Sequence, residues 1–123
     1  MIKINRVLDE AARYDMKVFM STGWAKDQDD NLQDPAIKQR QLQIMEELAV
    51  FYKNHKAFYG WYLPVEDCLC PIFAEHAVQS VNALTKKAKA LTPDKKTLIS
   101  PYGIGLSDFD NPEYEKQLAK LKV

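Results

Sequence analysis

The chain has 123 residues, enough for one domain with a real core and too few for two. Apolar residues make up 46% and charged residues 28%, the balance of a globular protein and not of a disordered one. The 17 basic and 17 acidic side chains cancel, so the footprint of a nucleic-acid or anionic-membrane binder is missing, and no apolar run approaches the roughly 20 residues that span a bilayer.

The opening residues, Met1-Ile2-Lys3-Ile4-Asn5-Arg6, lack the long apolar stretch of a secretory signal, so the chain as written is expected to stay in the cytoplasm. A first helix is predicted over residues 4–14, with Val7, Leu8, Ala11 and Ala12 on one side. Residues 16–22 then read as a strand, Met-Lys-Val-Phe-Met-Ser-Thr. Gly23 and Trp24 follow, and then a polar loop over residues 26–31. That loop lacks the glycine and terminal glutamate of a calcium site.

Asp34-Pro35 pairs a helix cap with proline at the first helical position and opens a second helix. Its stripe carries Ile37, Gln41, Ile44, Met45, Leu48, Phe51 and Tyr52. A second strand spans residues 57–63, and a third helix runs from near Pro71 to Leu91, where Thr92-Pro93-Asp94 stops it. Residues 97–102 form the third strand, and Asn111-Pro112 opens a fourth helix through Tyr114, Leu118 and Leu121.

The fold class is therefore α/β, about three parallel strands alternating with four helices in a single domain over residues 1–123. The strands do not alternate cleanly between polar and apolar, which predicts cover on both faces. Two parents stay open on this pattern: a doubly wound sheet, or part of a closed (β/α)8 barrel. The missing glycine-rich turn after the first strand favours the barrel and names no nucleotide cofactor.

In both parents ligands meet the C-terminal ends of the strands. Those ends deliver Ser21, Thr22, Gly23 and Trp24, then Trp61, Tyr62, Glu66 and Asp67, then Ser100, Pro101, Tyr102 and Gly103. Aromatic rings at a rim offer flat apolar faces on which a sugar ring stacks, and neighbouring hydroxyls and carboxylates bind its hydroxyl groups. A carboxyl that such rings shield from water becomes a better proton donor near neutral pH. Glu66 reaches further over the rim than Asp67 and is the candidate acid. Set against this, aromatic strands are usually plain core and acidic loop residues usually solvated. His55 and His76 read as ordinary surface or half-buried histidines. Cys68-Leu69-Cys70 is spaced too tightly for zinc or a thioredoxin-like motif, and reads as a pair of plain thiols. No metal site and no cofactor is predicted.

The segment Tyr59-Gly60-Trp61-Tyr62-Leu63-Pro64-Val65-Glu66 resembles the Gly-Trp-Tyr-x-x-x-Glu signature of a bacterial glycosidase-like TIM-barrel family, domain of unknown function 4434. Residues 8–18 resemble the family's helix leading into a barrel strand, with Asp15 where a glycine is more usual, and residues 92–102 resemble its helix stop and next strand. The resemblance implies an interior portion of a (β/α)8 barrel related to glycoside hydrolases, holding about the third to fifth strands. It implies Glu66 as general acid/base at the end of the fourth; the strand-end residues Trp24, Trp61, Tyr62 and Tyr102 would then form the sugar platform, with Ser21 and Ser100 as hydroxyl contacts. It also implies export in many relatives. The alternative from another class is a non-catalytic carbohydrate-binding or structural module. Hydrolysis needs two carboxyl groups across the scissile bond, and three strands cannot close a barrel. The chain is therefore expected to be weak or inert alone and to associate through its open edges, with itself or with a partner that completes the barrel.

Overall fold

Helix caps set most of the boundaries in the computed structural model of the chain, which describes residues 2–24, 32–66 and 68–123. The elements are α1 (Ile2–Arg13), β1 (Val18–Met20), α2 (Pro35–Tyr52), β2 (Phe58–Tyr62), α3 (Glu75–Leu91), β3 (Lys96–Leu98), a short 3-10 turn (Ile104–Leu106) and α4 (Pro112–Lys120). At α2 the Asp34 carboxylate accepts the Ala36 N–H at 2.9 Å, and at α4 the Asn111 side chain accepts the Glu113 N–H at 2.9 Å. Each satisfies one of the donors that a helix start leaves orphaned.

The end of α1 places Asp15 where a glycine would also fit. Asp15 has φ of +54°, in the left-handed region that favours glycine. The Met16 N–H donates to the Ala11 carbonyl at 2.8 Å and the Asp15 N–H to that of Ala12 at 3.2 Å. These are the two bonds of a Schellman stop. The third helix begins at Glu75 and not near Pro71. The backbone just before it is committed elsewhere, because the Gln117 amide of α4 accepts the Phe73 N–H at 3.0 Å and donates to the Phe73 carbonyl at 2.7 Å.

The three strands form one parallel sheet in the order β1-β2-β3. This is the α/β arrangement that the alternation predicts, with four helices around three parallel strands. The central strand contains an irregularity that decides which side chains face which way. Val18 is paired with Phe58, but the next residue, Phe19, is paired with Gly60, so Tyr59 is an extra residue on the β2 side. Such a bulge shifts the inside–outside alternation by one position. Phe58, Trp61 and Leu63 consequently all enter the core, with Met20 beside them.

α1, α2 and α3 deliver Leu8, Met45, Leu48, Tyr52, Val81, Leu84 and Ala88 into that same cluster. Burying these chains is the main source of stability, at about 1.5–3 kcal/mol for each large apolar one. The opposite side carries Phe19 and Tyr59, packed edge to face at 5.4 Å between centroids, with Tyr62 further along. These three are only half-buried. Among the described residues the helical core sits on one face of the sheet. A smaller cluster of Leu69, Phe73 and Val78 seats α4 through Tyr114 and Leu121.

Candidate functional site

The trailing ends of the parallel strands lie along one rim, since β1 and β3 both run parallel to β2, one on each side of it. Past β2 the chain stays close to its neighbour. The Leu63 N–H donates to the Leu98 carbonyl at 2.8 Å, and Cys68 bridges in parallel to Tyr102. This pairing holds the Glu66 segment alongside the residues that follow β3.

Three of the predicted residues meet there. The Tyr62 hydroxyl donates to Glu66 Oε1 at 3.1 Å, and the Ser100 side chain, just past the third strand, lies near enough to the phenol to influence it. Burial raises the Tyr62 pKa above its ordinary 10.0, the hydrogen bond to Glu66 and the repulsion of its charge add to this, and Ser100 works against it. The phenol is thus held as a neutral donor to the carboxylate. Glu66 itself is exposed.

The other candidates divide by exposure. Tyr102 is 58% exposed and Trp24 is 44% exposed, so both rings offer a face to a ligand. Ser21 is exposed, and its hydroxyl accepts the Gly23 N–H at 3.1 Å within the turn after β1. Trp61 is the correction. It is 1% exposed, packs edge to face on Phe58 at 5.1 Å, and donates its indole N–H to Thr92 Oγ1 at 2.8 Å. With no free face it is a core residue and not part of a sugar platform, and it does not shield Glu66 from water. Asp67 and the polar loop over residues 26–31 lie outside the described residues. Among those described, no three His, Cys, Asp or Glu side chains converge as a metal site would require.

The structure adds one residue to the rim that the sequence pattern hides. Gln41 is buried within α2, and its amide donates to the Gly23 carbonyl at 2.9 Å, tying the turn that carries Trp24 to the helix layer. A glutamine on an otherwise apolar stripe was the available signal.

The family described as Domain of unknown function (DUF4434) matches residues 2–123, nearly the whole chain. The chain belongs to this family. No curated protein and no solved structure matches it. The DUF4434 match spans every rim residue, from Ser21 to Tyr102, and its description names no activity. What the rim does must be argued from its chemistry.

Proposed function

We propose that the chain is a wall segment of a glycoside-hydrolase-like (β/α)8 barrel that binds or acts on carbohydrate, with Glu66 as the general acid/base. The observation that carries this is the bond from the Tyr62 hydroxyl to Glu66 Oε1, with Ser100 near the phenol. A carboxyl held in place by a neighbouring hydroxyl at a strand end is positioned for proton transfer with a glycosidic oxygen. Trp24 and Tyr102 supply stacking faces, and Ser21 and Ser100 supply hydroxyl contacts. The barrel reading is supported by the placement of the helices. A doubly wound sheet carries helices on both faces, whereas a barrel wall carries them on one. Here α1, α2 and α3 share a single core with one face of the sheet.

Glu66 would protonate the leaving oxygen, and a second carboxyl across the bond would act as nucleophile or base. Completion of the site by further strands, from another copy or a partner, belongs to the same proposal. Oligosaccharide titration followed by tryptophan fluorescence tests it. Of the two tryptophans, only Trp24 has an exposed ring, so the response should vanish in Trp24→Phe and weaken in Glu66→Gln. Slow aryl-glycoside hydrolysis abolished by Glu66→Gln would support the acid role. Saturable sugar binding without turnover, even in a barrel-completed assembly, would leave the binding-module reading. No response to any sugar would remove both.

A further inference from the structure

Cys68 and Cys70 take no part in the rim chemistry above, yet their surroundings are specific. In an extended segment residues two apart point the same way. Cys68 is bridged to Tyr102, the Leu69 N–H donates to the Tyr102 carbonyl at 2.9 Å, and Leu69 turns into the core beside Phe73 and Val78. The two cysteines therefore share the outward side, with Cα atoms 5.2 Å apart. That separation is within the span of roughly 4.4–6.8 Å usual for a bridged pair. Their sulfurs are placed against each other, as a pair able to close into a disulfide would be.

What lies beneath the sulfurs is Gly103. A Cβ built on it would come within 2.6 Å of Cys68 Sγ and 2.8 Å of Cys70 Sγ, and its φ of +79° is left-handed. No other residue type leaves that floor free. Cys70 is exposed, so a small thiol can reach it, while Cys68 is half-buried behind it.

We propose that Cys68 and Cys70 form a reversible dithiol–disulfide couple that exchanges with low-molecular-weight thiols and disulfides. In the oxidising direction the Cys70 thiolate attacks one sulfur of a glutathione disulfide and releases one glutathione thiolate. The Cys68 thiolate then attacks the Cys70 sulfur and releases the second. Two thiols lose their protons and two electrons pass to the glutathione disulfide. The resolving thiol sits two residues away in every state, so a mixed disulfide is short-lived. This goes beyond the carbohydrate reading and does not rest on it, because its readout is a thiol count.

The test equilibrates the full chain with graded ratios of reduced to oxidised glutathione, quenches with acid and maleimide, and measures intact mass. One transition is expected, between chains with two trapped thiols and chains with none, without dimers. Cys68→Ser and Cys70→Ser should each accumulate a mixed disulfide with glutathione. Gly103→Ala should move the midpoint toward the dithiol by about tenfold or more in the exchange constant. Gly105→Ala, whose added Cβ meets nothing within 4 Å, should leave it in place. Far-UV circular dichroism checks that both variants fold, and the wild-type transition decides the matter if Gly103→Ala does not. Two thiols trapped even in oxidised glutathione alone, a bond that survives excess reduced glutathione, or oxidation into dimers would each overturn the proposal. Equal shifts in the two glycine variants would overturn the role of Gly103.

Discussion

Tyr62 is the residue at which rim chemistry and stability meet. Burial, and then the Glu66 carboxylate, hold its phenol above the usual 10.0, so folding favours the neutral form. The stability this contributes is intact below pH 10 and is lost as the pH climbs through the raised value. Glu66→Gln removes the neighbouring charge, and tyrosinate absorbance should then show one phenol ionising at lower pH than in the wild type. Tyr62→Phe should delete that phenol from the titration. Gln117 makes a different kind of contact. It is buried and pairs with both backbone groups of Phe73, as a neighbouring strand would. Gln117→Ala leaves a buried N–H and C=O unpaired, which costs roughly 2–4 kcal/mol at the usual penalty for unsatisfied groups. Urea denaturation should register that loss as a lower midpoint with an unchanged slope.

Among the elements, helix starts were legible because capping is local chemistry. Asp34-Pro35 and Asn111-Pro112 announce α2 and α4, and both cap bonds form. The start of α3 was not legible, since what delays it is Gln117, 44 positions away from Phe73. The stop of α1 gives a prediction with a worked sign. An L-residue in the left-handed region costs roughly 1–2 kcal/mol, and a glycine loses roughly 0.5–1 kcal/mol more backbone entropy on folding. Asp15→Gly should therefore raise stability by up to about 1.5 kcal/mol, read as an increase in the thermal midpoint. The bulge in β2 escaped the sequence for another reason. Strict alternation from Phe58 would put Tyr62 in the core and Trp61 on the outer face. Only the pairing of Phe19 with Gly60 reveals that the order is reversed. Hence Tyr62 is half-buried on the outer side while Trp61 is sealed in the core.

At the scale of the molecule, β1 and β3 are both sheet edges among the described residues, and each can pair with another strand. Beside β1 lies an apolar groove lined by Ile4, Val7, Leu8, Val18, Met20 and Leu48. Val7 is exposed on it. We propose that association uses this edge. Sedimentation velocity should show concentration-dependent growth in the wild type, and Val7→Glu should suppress it without a change in the far-UV spectrum. A wild type that stays monomeric at high concentration would count against the edge. The parallel order could be reasoned from the strand and helix alternation, while the one-sided core needed coordinates, because it depends on the bulge as well as on composition. The bulge leaves one further consequence. Excising Tyr59 alone would remove the bulge and leave the pairs Val18–Phe58, Phe19–Gly60 and Met20–Trp61 as they are, so the Trp61 indole would stay in the core and the Tyr62 hydroxyl at the rim. The bulge thus absorbs one surplus residue of the middle strand while the polar end of this aromatic pair stays outdoors.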